Sequence, residues 1–86
     1  MYEVILHSKA GKEYNKLPER INTIFTGAML ALRDNPYPFR EYDLKKLKGT
    51  ENMFRIRVGD YRMVYTIEKK LKRVVVLKIG RRGKVY

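Results

Sequence analysis

The sequence predicts an α+β fold, in which an N-terminal strand and a helical hairpin pack on a small antiparallel β-sheet. Residues 1–38 hold a short apolar segment followed by two stretches with helical periodicity. Residues 44–79 hold consecutive segments of alternating apolar and polar residues, separated by turn residues. The 86 residues suit one hydrophobic core rather than two, so we expect a single domain over residues 1–86.

The first half of the chain is predicted to form one strand and two helices. Residues 2–7 are mostly apolar and read as a strand. The Ser8 hydroxyl suits the cap of a helix that runs to about Leu17. Pro18 suits the first turn of a second helix, which ends near residue 35, because a residue before proline avoids the helical region.

The second half is predicted to form four strands. They span residues 44–48, Met53–Val58, Tyr61–Glu68 and Arg73–Ile79. Gly59-Asp60 is a two-residue hairpin turn, with glycine where a type II′ turn needs it. Such a turn fixes the register, so the predicted pairs are Val58 with Tyr61, Arg57 with Arg62, Ile56 with Met63, Arg55 with Val64 and Phe54 with Tyr65.

This register separates an apolar face from a basic face. The apolar face carries Phe54, Ile56, Val58, Tyr61, Met63, Tyr65 and Ile67, and we expect the helices to cover it. The basic face carries Arg55, Arg57 and Arg62, and like charges placed directly opposite each other destabilise a sheet. One interpretation is that the arginines converge on an anion, which the planar guanidinium binds with two hydrogen bonds. The other is that they splay into water or pair with Asp60 or Glu68.

The face taken by the last strand depends on the loop before it. An odd loop of about 3 or 5 residues places Val75, Leu77 and Ile79 in the core and Lys78 on the basic face, whereas an even loop exchanges them. The segment after the strand adds further cations and ends in Tyr86, whose ring is able to stack on a base. A solvated terminus is the alternative interpretation of this segment.

The charge distribution favours a polyanionic partner. The net charge is +11, and residues 39–86 carry 15 basic and 5 acidic side chains, against 5 and 4 in residues 1–38. Phosphate backbones and acidic protein segments both fit such a surface, as does simple solvation of the lysines. A chain of this length buries a modest core, so a partner that covers more surface is expected.

Several classes of site and location are disfavoured. Without cysteine and with only His7 as an imidazole, the chain offers neither disulfides nor a zinc site. The N-terminus reads as a strand rather than a signal peptide, and no apolar run is long enough to span a membrane. We therefore expect a cytoplasmic protein with no membrane partner.

The order of elements and four sequence fragments resemble the RelE/ParE toxin superfamily. The fragments are Lys46-Leu47-Lys48-Gly49, Phe54-Arg55-Ile56-Arg57-Val58, Gly59-Asp60-Tyr61-Arg62-Met63-Val64-Tyr65, and Ile79-Gly80-Arg81-Arg82 with the terminal Tyr86. The resemblance implies a RelE-like fold of the microbial-ribonuclease type. It also implies a metal-independent, cofactor-free endoribonuclease that cuts mRNA in the ribosomal A site and so inhibits translation.

The resemblance also implies roles for individual residues. In the family, the 2′-hydroxyl attacks the adjacent phosphate and leaves a cyclic phosphate and a free 5′-hydroxyl. By position, Arg55 and Arg57 match a basic pair of which one activates the 2′-hydroxyl, and Arg62 matches the arginine that stabilises transition-state charge. Arg82 matches a residue near the leaving oxygen, and Tyr86 one that orients the nucleotide. Lys48 matches a further basic contact, and Arg81 and Lys78 are expected to bind RNA.

Arg55 and Arg57 stand where well-understood family members have lysines. Arginine stays protonated near neutral pH and cannot serve as a general base. Either the two arginines act electrostatically, with a ribosomal group accepting the proton, or the base lies elsewhere in the chain.

The resemblance also implies binding partners, and it leaves two alternative functions open. Family toxins pair with an antitoxin, here a RelB-like one, which masks the basic cleft, and the complex commonly represses its own promoter, so operator DNA is expected through the antitoxin. The other expected partners are mRNA and the ribosome. The alternatives are a ParE-like inhibitor of DNA gyrase and a non-enzymatic RNA-binding protein.

Overall fold

The computed structural model describes residues 1–81 and shows two helices packed against a five-stranded sheet, which confirms the α+β prediction. The strands are β1 (Glu3–Leu6), β2 (Asp43–Lys46), β3 (Met53–Val58), β4 (Tyr61–Glu68) and β5 (Arg73–Arg81). The helices are α1 (Ser8–Asn15) and α2 (Glu19–Asp34), and a 3₁₀ turn spans Lys69–Leu71.

The sheet is mixed rather than antiparallel throughout. Its strand order is β1-β5-β4-β3-β2, and β1 runs parallel to β5 whereas the other three pairings are antiparallel. A tight hairpin makes neighbouring strands antiparallel, but β1 and β5 are separated by the rest of the chain and carry no such constraint. The sheet therefore has β1 and β2 as its two edges, and β4 at its centre.

The β3–β4 hairpin has the predicted register. All five predicted pairs occur, from Val58 opposite Tyr61 to Phe54 opposite Tyr65. Gly59 has a φ of 58°, a left-handed conformation that glycine adopts without steric cost. The predicted apolar face is the face that receives the helices, so Arg55, Arg57 and Arg62 lie on the opposite face.

The helix boundaries differ from the predicted ones by one or two residues, since α1 ends at Asn15 rather than near Leu17 and Pro18 is the N-cap of α2 rather than part of its first turn. His7, rather than Ser8, is the N-cap of α1, and its Nδ1 accepts a hydrogen bond from Lys9 N–H at 3.4 Å. The reason is that His7 directly follows β1 and its N–H still donates to the Val76 carbonyl of β5 at 2.9 Å, so the helix begins only at the next residue. As predicted, α2 stops before Asn35. Within residues 1–81, neither helix is long and apolar enough to cross a membrane.

The core lies between the helices and the sheet. Its buried residues are Ala10, Ile21, Phe25, Ala28, Leu32, Phe54, Ile56, Met63, Tyr65, Ile67, Val74, Val76 and Ile79. A hydrogen bond between Tyr14 and Thr26 joins the two helices. The fully buried Tyr65 hydroxyl donates to the Pro36 carbonyl at 2.9 Å. Burial, with a smaller contribution from Tyr37, raises the pKa of Tyr65, so its hydroxyl remains a donor.

The β4–β5 hairpin combines an even loop with a bulge. Glu68 pairs with Arg73 across a loop of four residues, 69–72, which by itself would place Lys78 in the core. The register then shifts, because Tyr65 pairs with Val76 while Val64 pairs with Lys78, and Leu77 is the extra residue. The even-loop alternative therefore holds up to the bulge, with Val74 and Val76 rather than Val75 and Leu77 in the core, whereas beyond the bulge Ile79 is fully buried and Lys78 is exposed, as the odd-loop alternative predicted.

Candidate nucleic-acid interface

Two rows of side chains cross the face of the sheet that the helices leave open. Residues directly opposite each other on neighbouring strands project to the same face. Running from β2 to β5, the first row is Asp43, Arg57, Arg62 and Gly80, and the second is Lys45, Arg55, Val64 and Lys78. The sheet therefore presents a basic surface whose cations come from all four of these strands.

Asp43 is the anion on which Arg55 and Arg57 converge. Both Nε and Nη2 of Arg57 lie 2.8 Å from Asp43 Oδ2. Nη1 of Arg55 lies 3.3 Å from the Asp43 carbonyl oxygen and 3.5 Å from Oδ1. Glu68, one of the two partners considered from the sequence, pairs instead with Arg73 at 3.3 Å. The repulsion between Arg57 and Arg62 is thus offset by a carboxylate of the same chain.

The two arginines lower the pKa of Asp43. Burial acts in the opposite direction and raises it, but the hydrogen bond from Arg57, the charges of Arg57 and Arg55, and the hydrogen bond from Arg55 together hold the pKa below its usual value of 3.8. The carboxylate is therefore ionised at neutral pH and keeps Arg57 in place.

Asp43→Asn is expected to reduce stability at neutral pH and not at acid pH. A carboxylate with a lowered folded-state pKa contributes stability that is fully present above its usual value of 3.8 and is lost as the pH falls through the folded value. Because the Asp43 side chain is 44% exposed, the loss near neutrality should be on the order of 0.5 to 1 kcal/mol. Urea unfolding at several pH values measures it, and a difference that persists at about pH 2 would contradict this origin.

Beside the Asp43 pair lies a basic groove of about 300 Å³. It is lined by Lys45, Lys46, Leu47, Lys48, Arg55 and Arg62, and we call it the β2–β4 groove. The Arg55 side chain is 12% exposed and Arg62 as a whole is 8% exposed, so both guanidinium groups are held against the sheet. The three lysines are exposed at the rim. None of the six lining residues is acidic.

The structure brings together some of the predicted site residues and separates others. Lys48, Arg55 and Arg62 line the groove. Arg57 does not line it, since Asp43 holds its guanidinium to one side, while Lys78 lies on the same face opposite Val64.

Arg81 lies away from this group. It pairs with Tyr61, so it faces the helix side of the sheet and lines a cleft with Glu13 and Lys16. Arg82 and Tyr86, the other two predicted site residues, lie outside the described residues.

Sequence reasoning missed three residues of this surface, namely Asp43, Lys45 and Lys46. The signal for Lys45 and Lys46 was their place in a run with Lys48 immediately before a turn. The signal for Asp43 was weaker, because its contact with Arg57 depends on the pairing of β2 with β3, which a longer connection leaves open.

The groove is suited to binding phosphate and to stabilising negative charge on it. The fork of an arginine donates two parallel hydrogen bonds to phosphate oxygens, and lysine adds charge without demanding a fixed geometry. Preorganised cations that are partly shielded from water stabilise charge that develops in a transition state. Among residues 1–81, no cluster of three or more histidine, cysteine or acidic side chains is placed to hold a metal ion.

Comparisons with known proteins agree with this architecture. Residues 4–86 match the family model described as the ParE toxin of type II toxin-antitoxin system, parDE. The chain is 29% identical to the putative toxin RelE1 of Methanocaldococcus jannaschii, over 99% of this chain and 94% of that protein. It is 30% identical to the toxin RelE of Mycobacterium tuberculosis, over 99% and 86% of the two chains.

A solved structure supports the same assignment. The archaeal RelE-RelB complex from Pyrococcus horikoshii contains a chain with a TM-score of 0.84 and 32% identity, aligned over 98% of both chains. The match therefore includes the helical hairpin and the complete sheet. With a family model that spans nearly the whole sequence and relatives named RelE in both archaea and bacteria, the chain belongs to the ParE toxin family of type II toxin-antitoxin systems and is a RelE-like toxin.

Proposed function

We propose that this chain is a ribosome-dependent endoribonuclease that cuts mRNA in the A site and so inhibits translation. The observation that carries the proposal is the β2–β4 groove, whose six lining residues include five cations and no acid. A groove of that charge on the open face of a RelE-like sheet fits a phosphodiester backbone. The names of the relatives support the toxin part of the proposal, because the proteins 29 to 32% identical to this chain are called RelE, and the resemblance to that family implies the cleavage.

In the proposed reaction, the 2′-oxygen attacks the adjacent phosphorus and the bond from phosphorus to the 5′-oxygen breaks. The proton of the 2′-hydroxyl passes to an acceptor and the leaving 5′-oxygen takes up a proton from water, so the products are a 2′,3′-cyclic phosphate and a 5′-hydroxyl. Arg62 and Arg55 line the groove, and we assign them to bind the nonbridging oxygens of the scissile phosphate. Their contribution is electrostatic, since arginine holds its proton at neutral pH, and we assign the proton acceptor to the ribosome.

The remaining predicted residues have supporting roles in this proposal. Arg57 adds positive potential from the neighbouring row, while Lys48 and Lys78 attract the RNA strand from the rim and from β5. Arg81 faces the helix side of the sheet, so it binds RNA only if the RNA strand extends to that side. We retain Arg82 near the leaving oxygen and Tyr86 as the residue that orients the nucleotide, and no metal ion or cofactor enters the reaction.

We further propose that an antitoxin of the RelB kind holds this toxin inactive in the cytoplasm. The Pyrococcus horikoshii relative was solved as a RelE-RelB complex. The net charge of +10 in residues 39–86, from 15 basic and 5 acidic side chains, favours an acidic segment that covers the groove. Contact with operator DNA would then come through the antitoxin.

Inhibition of DNA gyrase is the second candidate function. It is favoured by one observation, which is that the matching family model is named for ParE. Non-enzymatic RNA binding would use the same cations without producing a cleaved strand. Only the first of the three functions leaves a cut RNA, so a cleavage assay separates it from the other two, and a gyrase assay separates those from each other.

Primer extension on a defined mRNA bound to 70S-type ribosomes tests the proposal. We expect the antitoxin-free wild-type protein to cut within the A-site codon and to leave a cyclic phosphate, with little cleavage of the same RNA without ribosomes. Circular dichroism confirms that the protein is folded. A folded protein that produces no cut would contradict the proposal, and inhibition of supercoiling by gyrase in a parallel assay would then establish the second candidate.

A further inference from the structure

Lys45 and Lys46 extend the β2–β4 groove beyond the residues that the proposed reaction uses. Lys45 lies directly opposite Arg55, and both line the groove with Arg62. Lys46 is the last residue of β2 and pairs with Phe54, so unlike Lys45 it does not belong to the open-face rows, and it lines the groove at the edge of the sheet. The groove therefore continues from the central strand to the edge strand.

The positive charge of these lysines is not neutralised within the part of the chain that the structure describes. Lys45, Lys46 and Lys48 are exposed, and they form no ion pair with an acidic side chain of residues 1–81. The neighbouring acid on β2, Asp43, is occupied by Arg57 and Arg55 in the other row. A polyanion that enters the groove thus meets three exposed lysines of its lining without displacing an existing ion pair within residues 1–81.

The spacing fits two phosphate groups rather than one. Arg62 on β4 and Lys45 on β2 lie two strands apart, at about 4.8 Å per strand, and two residues apart along the strand direction, at about 3.4 Å per residue, so their backbone positions are separated by roughly 12 Å. Long side chains shorten that separation, which brings it within reach of successive phosphates of one extended strand. The types of cation also differ along the groove. Arginines, whose planar guanidinium binds phosphate in a fixed bidentate geometry, lie at its centre, and lysines, whose ammonium has no fixed binding geometry, lie at its rim.

We propose that Lys45 and Lys46 form a second phosphate subsite, which binds the phosphate next to the scissile one. The RNA backbone then crosses the sheet diagonally, from Arg62 on β4 towards Lys45 on the edge strand β2. This inference rests on the proposed function for the identity of the ligand as RNA. Beyond the proposed function, the inference gives the direction in which the RNA strand crosses the sheet and names Lys45 and Lys46 as residues that fix its position.

Binding of short oligonucleotides that cannot be cleaved tests the subsite without any catalytic step. The probes are a 2′-O-methyl dinucleotide with one phosphate and a 2′-O-methyl trinucleotide with two. Affinities of the full chain are measured by NMR titration at several salt concentrations. For the wild type, the trinucleotide should bind more tightly, and its binding should depend more steeply on salt by roughly 0.7 in log–log slope, as expected for one more phosphate on a single strand.

The variants are K45Q/K46Q and the matched control K69Q/K70Q, whose adjacent exposed lysines lie on the 3₁₀ turn that follows β4. We expect K45Q/K46Q to bind both probes with about the same affinity and salt slope, while the control keeps the difference. The subsite is overturned if the wild type does not distinguish the probes, if the control loses the difference equally, or if K45Q/K46Q weakens only antitoxin binding. Because the probes lack a free 2′-hydroxyl, this result is independent of whether the wild type cuts mRNA.

Discussion

Replacing Arg62 with alanine should reduce the rate of A-site cleavage by roughly 10² to 10³-fold, the usual effect of removing one preorganised donor to a transition-state charge. Arg62 lies on the central strand, is 8% exposed, and lines the groove from its floor. Arg57, in contrast, is 48% exposed and held by Asp43 outside the groove, so Arg57→Ala should have the smaller effect. Single-turnover cleavage on programmed ribosomes measures both rates.

Two variants separate the chemistry of Arg62 from its contribution to the fold. Arg62→Lys keeps the charge and loses the fork, so its rate should fall between those of the wild type and Arg62→Ala. Arg73→Ala removes an arginine from the far end of the same sheet, where it pairs with Glu68, and should cleave as the wild type does. Cleavage by a folded Arg62→Ala protein at the wild-type rate would remove Arg62 from the mechanism.

The sequence determines the register of the β3–β4 hairpin because the two-residue turn, Gly59-Asp60, leaves no alternative pairing. Two residues between β3 and β4 allow one register, and that register assigns every side chain of both strands to a face. This register predicts that Arg57 lies directly opposite Arg62, as the structure shows. The remaining pairings depend on longer connections, in which several registers satisfy the same local propensities.

The β5 strand shows how tertiary packing decides such a case. Its regular alternation would place Val74 and Val76 in the core together with Lys78, and would leave Ile79 outside. The bulge at Leu77 moves Lys78 to the open face and returns Ile79 to the core, because burying an unpaired ammonium costs more than interrupting the ladder. The Lys78 and Ile79 side chains explain why a bulge at Leu77 is favourable. The sequence alone, however, does not predict that the bulge forms.

The same distinction explains which part of the candidate site could be predicted. Arg55 and Arg62 come from the central hairpin and were placed correctly on one face. Asp43 and Lys45 reach them only through β2, which joins β3 by residues 47–52 and pairs with it in a register that no tight turn fixes. Long-range pairing of an edge strand is therefore what assembles the groove.

The second large effect is expected in the core, from Phe25→Ala. Phe25 is fully buried on α2, where its ring packs between the helices and the sheet. Truncation of a buried phenylalanine costs about 3 to 5 kcal/mol in transfer free energy and in the cavity that remains. Leu30→Ala on the same helix is the matched control, because Leu30 is 57% exposed and its truncation should change stability by about 0.5 kcal/mol or less.

Urea unfolding of the two variants measures this difference, and a loss below about 1.5 kcal/mol for Phe25→Ala would show that the core closes around the cavity. Small domains have about 5 to 15 kcal/mol of total stability, so the loss brings a chain of 86 residues near its unfolding threshold. An antitoxin that binds only the folded toxin adds about 4 kcal/mol at a thousandfold excess over its Kd. The isolated Phe25→Ala protein should therefore unfold at a much lower urea concentration than the wild type and regain most of that stability in the complex, which separates loss of stability from loss of the binding surface.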